Sequence, residues 1–438
     1  MASKDKSKKS YNTLRGMKDI LPGEQRYWDF IFERVKSFAK DYGFRRIETP
    51  ILEPAQLFLR SIGTDTDIGS KEMYTFLDAS NEKVALRPEG TAGVARAYVQ
   101  HGMLNQPHPI KLFYFGPFFR HDRPQSGRQR QFWQFGFEIL GDEHPVADAQ
   151  LIAMSYKFYA ELGLNIQIDI NSIGSVDSRQ GYLKELVAYL KKHRKFLNED
   201  DKKRLTKNPL RVLDSKDKEV QKILEEAPQI VDYLSEEDKN HFIMVLEYLD
   251  ELEVNYNLNP RIVRGLDYYT RTAWEIIEVG REGQQDSLGG AGRYDDLIEE
   301  LGGRPTPAVG FACGIERTIT RIKANDIKVT QADKPEVFVA QLGQQARKKC
   351  LKLYEELLKQ GFYPAEAFSK DSLKDQLEAA NKLGVKYTLM IGQKEIVDDT
   401  VLIRGMENGI QEVIDFKKTL PYVAKILGRK ASEDEEIK

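Results

Sequence analysis

Apolar residues recur at helical spacing along 27–38, whereas short apolar runs at 84–86 and 112–119 read as strands, so the first part of the chain mixes the two element types. From about 175 to 258 the pattern becomes Lys, Glu and Leu at helical spacing, broken at Asn208-Pro209 and Ala227-Pro228, which predicts a helical insertion. Strand-like sequence returns over 262–278, then come Gly289, Gly290 and Gly292, and then a helix after Gly314. Beyond Pro335, strand-like 337–340, 387–391 and 401–403 alternate with helical 347–359 and 372–382, as in a compact α/β domain. The fold class that follows is α+β. One domain is expected at 11–174 and 259–325, with the insertion at 175–258, a second domain at 334–428, and solvated tails at 1–10 and 429–438.

Composition narrows the choices a little further. At 438 residues more than one core is expected, and no run approaches the about 20 apolar residues of a bilayer-spanning helix, so a membrane protein is not expected. The net charge of −2 argues against a general electrostatic nucleic-acid binder, yet it leaves room for a local basic groove. Cys313 and Cys350 stand far apart without metal-ligand spacing, which suits a reducing cytoplasm and argues against a disulfide scaffold or structural zinc. Residues 1–9 are rich in Lys and Ser and lack the apolar centre of a secretory signal.

The densest candidate chemistry lies in 113–141, which reads as two strands joined by a loop rich in Arg and Gln. Its second half alternates. Trp133, Phe135, Phe137 and Ile139 share one face, and Gln134, Gly136 and Glu138 the other. The apolar row can enter a core, while the polar row can floor a small polar ligand or simply face water. Arg120, Arg123, Arg128 and Arg130 crowd the loop, and guanidinium groups bind phosphate through paired hydrogen bonds. No GxxxxGK[ST] loop is present, so arginines would have to hold any ATP. LRPEGT (86–91), RGLDYYT (264–270) and GFACGIER (310–317) likewise set charge or small residues beside probable strand ends, and each also reads as a turn or a tightly packed helix start.

Taken with RGMKDILP (15–22), GFRRIETPILEP (43–54) and GGAGRYD (289–295), these segments resemble class II aminoacyl-tRNA synthetases, specifically the histidyl-tRNA synthetase family. The resemblance runs from about residue 11 to 425. It implies an antiparallel catalytic sheet flanked by helices, a helical insertion that clasps the tRNA acceptor arm, a C-terminal α/β anticodon-binding domain, and a homodimer formed through 43–54.

The same resemblance assigns residues. Arg120 would contact the α-phosphate and the reacting carboxylate, and Arg264 would be the cation at the reacting centre. Arg317 would hold the ATP tail and cover the adenine, with Phe132 stacked beneath that ring and Asp122 and Arg128 touching adenine and γ-phosphate. Asp122 stands where the family commonly has Glu, which shortens its reach. Around L-histidine, Glu89, Thr91 and Gln134 would fix the α-ammonium, Gly90 would also belong to the histidine site, Glu138 and Tyr269 would grip the imidazole nitrogens, and Tyr268 and Tyr294 would complete the wall. Gln125 would lie near the first base pair of tRNA(His), and Mg²⁺ would arrive with ATP rather than on a protein-only ligand set. Trp133 stands where the family often has His, and alternation turns its ring to the core. A histidine-sensing regulatory paralogue, like the regulatory subunit of ATP phosphoribosyltransferase, would instead lack the C-terminal domain and the ATP arginines.

Overall fold

The computed structural model describes residues 11–63, 66, 68–122, 129–280, 287–329 and 334–429. Backbone contacts divide the chain into two compact units between residues 329 and 330.

The first unit is organised by an eight-stranded sheet in the order Arg45–Arg46, Ile110–Phe119, Gln131–Leu140, Ala308–Gly314, Ser287–Arg293, Thr270–Glu278, Ile166–Ser172, Tyr256–Leu258. The outermost pair at each end is parallel and every other pair antiparallel. A hairpin register pairs Phe115 with Phe135 and Phe113 with Phe137, so aromatic side chains stack across the ladder on one face. Helices Pro22–Asp41 and Pro145–Glu161 cover that face, and Phe135, Phe137, Phe158 and Trp274 are fully enclosed in the resulting core. A three-stranded sheet, Leu52–Pro54, Lys83–Leu86 and Thr75–Leu77, stands apart from it.

The helical stretch between Ile166–Ser172 and Tyr256–Leu258 divides in two. Val176–Lys192 and the short helices to Tyr233 bury Tyr182, Leu186, Val212 and Leu224 in one cluster with Leu112, Tyr114 and Leu140 of the large sheet, whereas Glu236–Glu251 puts Phe242, Val245 and Leu249 into the cluster that holds Phe113 and Phe135. Sequence reasoning also ran a strand from 262 to 278, but the ladder begins only at Thr270. Residues 259–269 lie outside it, because Gly265 and the charged and phenolic side chains there are turned to a cavity instead of a neighbouring strand.

The second unit holds a five-stranded sheet, Pro364–Glu366, Val337–Gln341, Tyr387–Ile391, Thr400–Gly405 and Gln411–Asp415, the first three parallel and the last two antiparallel to their neighbours. Val337 and Val339 pack with Leu353 and Leu357 of the helix Gln344–Lys359 on one face, and Phe338 and Ala340 with Ala380 of Leu373–Leu383 on the other. Strands buried on both faces read as continuous apolar runs, which is why this unit is plain in the sequence.

Candidate active site

Alternation along Gln131–Leu140 builds the floor of the site. Trp133 meets Trp28 edge-on at 5.6 Å, and Phe135, Phe137 and Ile139 enter the core, so Gln134 and Glu138 are sent to the opposite face. Gln134 lines a cavity of about 830 Å³. Glu138 lies behind that wall with no exposure, its Oε1 accepting from Thr91 Oγ1 at 2.8 Å and its Oε2 from the Tyr294 hydroxyl at 2.5 Å. Loss of water dominates its ionisation and pushes its pKa up to about 8, against the pull of the Tyr294 and Thr91 hydrogen bonds. Burial likewise raises the pKa values of Tyr268, Tyr269 and Tyr294, so all three phenols keep their protons.

Glu89 stands at the start of the helix Thr91–Gln100 and accepts from the backbone N–H of Thr91 at 2.6 Å and of Ala92 at 3.0 Å. A carboxylate in that place satisfies donors that the first turn leaves open. Burial still raises its pKa. Gly90, Thr91, Tyr268 and Tyr269 line the cavity beside it, with the two tyrosine rings 4.7 Å apart and Tyr268 5.7 Å from Tyr294.

Glycine supplies the room for this arrangement. A Cβ at Gly310 would come within 1.6 Å of Glu138 Oε2, one at Gly290 within 1.7 Å of Arg264 Nη2, and one at Gly292 within 2.7 Å of Tyr269. The glycine-rich run 289–292 is thus a bed on which side chains of other segments lie. Its neighbour Arg293 is wholly buried, donates through Nε to both oxygens of Asp148 at 3.2 and 3.1 Å, and so fixes the backbone that carries Tyr294.

Three arginines reach the same cavity from three segments. Arg120 donates through Nε to the Pro88 carbonyl at 2.9 Å and lies 5.3 Å from the Phe132 ring centre. Burial lowers its pKa, though a guanidinium keeps its charge at neutral pH. Arg317, in the first turn of Ile315–Ala324, donates to the Ser287 carbonyl at 2.6 Å. Arg264 pairs with Glu275 and has its guanidinium carbon 5.6 Å from the Tyr269 ring centre. Asp122 and Phe132 also line the cavity, whereas Gln125 and Arg128 lie outside the described residues.

Sequence reasoning missed Tyr114, Glu275 and Glu316 on the wall. Tyr114 sits in an aromatic strand and looks like core, but Gly90 and Gly136 give it away, since a Cβ on either would come within 2.4 and 2.3 Å of its ring. Both oxygens of Glu316 accept from Trp133 N at 3.0 Å, and desolvation brings its pKa up to about 7. Asn198, Arg204, Arg211 and Lys216 of the helical stretch form part of the cavity's rim. Among the described residues no group of three or more His, Cys, Asp or Glu is placed to hold a metal ion.

A deep polar cavity where arginines face a buried carboxylate and phenols suits a zwitterion joined to a nucleotide phosphate. Residues 16–318 match the family model described as histidyl-tRNA synthetase, and residues 336–426 the anticodon binding domain. The chain belongs to the histidyl-tRNA synthetase family. Among curated relatives, histidine–tRNA ligase of Dehalococcoides mccartyi is 43% identical over 416 residues, covering 95% of this chain and 99% of its own. That of Pelotomaculum thermopropionicum is 43% identical over 421 residues, with the same two coverages. The ligand-free crystal structure of S. aureus histidyl-tRNA synthetase is 33% identical, with a TM-score of 0.78 over 94% of this chain and 100% of that one. The large antiparallel sheet flanked by helices is therefore the class II catalytic fold, followed by the anticodon-binding α/β fold. No helix among the described residues is long and apolar enough to cross a membrane.

Proposed function

We infer that this chain is a histidine–tRNA ligase that activates L-histidine with ATP and transfers it to the 3′ end of tRNA(His). The observation that carries this reading is the convergence of Arg120, Arg264 and Arg317 on one cavity whose far end holds Glu89, Thr91, Gln134 and the Tyr268–Tyr269 pair, with Glu138 and Tyr294 behind them.

In the first step a carboxylate oxygen of histidine attacks the α-phosphorus, the bond to the β-phosphate oxygen breaks, and pyrophosphate leaves. Such a displacement depends on in-line placement and on cations aimed at developing charge. Arg264 and Arg120 supply those cations at the α-phosphate. Arg317 and Phe132 sandwich the adenine, and Asp122 and Arg128 serve the adenine and the γ-phosphate. Glu89, Thr91 and Gln134 hold the α-ammonium. Glu138 accepts from one imidazole nitrogen once the ligand displaces the Thr91 or Tyr294 hydroxyl that covers it, and Tyr269 meets the other, an acceptor and a phenol matched to a ring with one donor and one acceptor. In the second step the tRNA's terminal ribose hydroxyl attacks the acyl carbon and AMP leaves with the bonding electrons.

Mg²⁺ would come with ATP as the counter-ion of the triphosphate and would supply charge neutralisation there. Of the wall carboxylates, Glu89 is engaged by backbone N–H groups, Glu275 by Arg264 and Glu316 by Trp133 N. Acceptor-arm binding falls to the helical stretch within 175–258, with Gln125 near the first base pair, and anticodon binding to the second unit. A homodimer through 43–54 is favoured by Ile51 and Leu52, exposed apolar side chains of that stretch.

Histidine-dependent ATP–pyrophosphate exchange, followed by charging of tRNA(His), tests the reading. Exchange with histidine alone among the amino acids is expected, and no exchange with any of them ends it. Charging without exchange is equally fatal to the order of steps.

A further inference from the structure

Arg264 belongs to the stretch between the strands Tyr256–Leu258 and Thr270–Glu278, so no ladder fixes its backbone. A long side chain in that position has many rotamers to lose before it can act. Its side chain is nevertheless only 15% exposed. Tyr269 and the bare backbone of Gly290 confine the guanidinium, the latter so closely that a Cβ there would meet Nη2. Gly290 only limits where the group can go, while Tyr269 adds a hydrogen bond and a weaker electrostatic attraction than Glu275 does. Glu275 supplies the main pull, through an ion pair between its Oε1 and Arg264 Nη1.

Glu275 is well placed for that task. It lies within Thr270–Glu278, paired to Gly290 on one side and to Asp169 on the other, so the sheet fixes its backbone whether or not a ligand is bound. Gly290 thus does two things at once, holding Glu275 in register and leaving space for the guanidinium that Glu275 draws in. Arg264 Nε is buried and has no hydrogen-bond partner among the described residues. A guanidinium held by Glu275 and Tyr269, with one buried donor left unpartnered, is suited to receive an anion.

We propose that Glu275 is a positioning residue for the activation step, holding Arg264 in the orientation that meets the α-phosphate and the reacting carboxylate. It acts through Arg264 and rests on the reading of Arg264 as the cation at the reacting centre. A fixed cation costs no reorganisation when charge develops, whereas a mobile one must be ordered in every turnover.

The test is a double-mutant cycle on the full chain, read by histidine-dependent ATP–pyrophosphate exchange. Glu275→Gln keeps shape and removes charge. It is expected to lower kcat by about tenfold to a hundredfold, the scale of a misplaced catalytic group, while the histidine KM stays within about threefold. In an Arg264→Ala background the same change should cost less than about twofold, since no guanidinium remains to be oriented. Glu275→Asp, which keeps the charge on a shorter stem, should fall between, and it carries the same cycle if the Gln variant does not fold. Wild-type kcat in both single Glu275 variants overturns the proposal. So does a full loss that persists in the Arg264→Ala background, which would mean that Glu275 acts on substrate or structure directly. A wild-type chain that shows no exchange would instead sink the proposed function and is thereby distinguished from failure of this inference.

Discussion

The two ends of the cavity are built differently. At the inner end side chains bond to side chains: Glu138 is held by Thr91 and Tyr294, no part of it reaches the surface, and Gly310 leaves just enough room for it. At the outer end Arg317 is tethered to the Ser287 carbonyl, and Arg120, tethered to the Pro88 carbonyl, stands between the two ends, close enough to Glu89, Tyr268 and Tyr269 to feel their electrostatics. An interlocked, desolvated network discriminates, because a ligand that fails to match it leaves buried polar groups unpaired. Tethered guanidinium groups grip a phosphate chain whose charge matters more than its shape. Selectivity and reactivity are thereby assigned to separate ends of one cavity, and a substitution should damage one or the other.

The largest effect is expected at the outer end. Arg317→Ala should lower kcat/KM for ATP by about a hundredfold to a thousandfold, on the scale of removing one preorganised donor from a transition state. Histidine binding measured by calorimetry without ATP should change by less than about threefold. A comparable loss in both would show that the ends are not separable.

Glu138→Gln attacks the inner end and is expected to cost somewhat less. Replacing the carboxyl acceptor should weaken kcat/KM for histidine by about threefold to tenfold, the worth of one hydrogen bond, while the KM for ATP stays within about twofold. Discrimination against other amino acids should relax with it. If selectivity survives the change, Glu138 does not read the ring.

Chain alternation made the inner end partly legible in advance. The 131–140 pattern told which residues enter the core and which face away, and the separation of Trp133 from Gln134 followed from a period of two. It did not tell that Glu138 sits behind the wall and not on it, since that depends on Thr91 and Tyr294, 47 and 156 positions away in the chain. Tyr114 escaped notice because a tyrosine among phenylalanines reads as core, and Glu275 because its meaning lies in Arg264, which is carried by a segment without regular structure. The helix Glu236–Glu251 looked like part of one helical insertion, yet Phe242, Val245 and Leu249 belong to the cluster that holds Phe113 and Phe135. Local periodicity finds elements well, but it does not say which of two cores an amphipathic helix will join.

Proton linkage gives a smaller, independent handle on the inner end. Glu138 has a folded pKa of about 8 against an ordinary value of 4.5, so the folded chain binds its proton more tightly than the unfolded one. The stability this contributes is fully present below about pH 4.5 and is lost as pH rises through about 8. Over that window the group should subtract up to about 1.4 kcal/mol per pH unit from the stability of the ligand-free chain. Glu138→Gln should flatten that part of the profile, measured as Tm from pH 5 to 8 without ligands. An unaltered slope would mean that the carboxyl is hydrated in solution and that the inner end is less dry than its geometry implies.

The smallest effect on activity is expected one residue from the cavity. Trp133 adjoins Gln134 in the chain, yet its ring packs against Trp28 and lies 5.8 Å from the Phe115 ring, on the far side of the sheet. Only its backbone touches the site, through the N–H that Glu316 accepts. Trp133→His retains that N–H and removes ring contacts, so it should cost on the order of 1–2 kcal/mol of stability and lower Tm accordingly. The histidine and ATP KM values should both stay within about twofold, because neither end of the cavity meets the ring. A shift confined to the ATP KM would show that Glu316 transmits core packing to Arg317, its neighbour in the chain. The two ends would then differ in one more respect, with the inner end insulated from the core behind it and the outer end coupled to it.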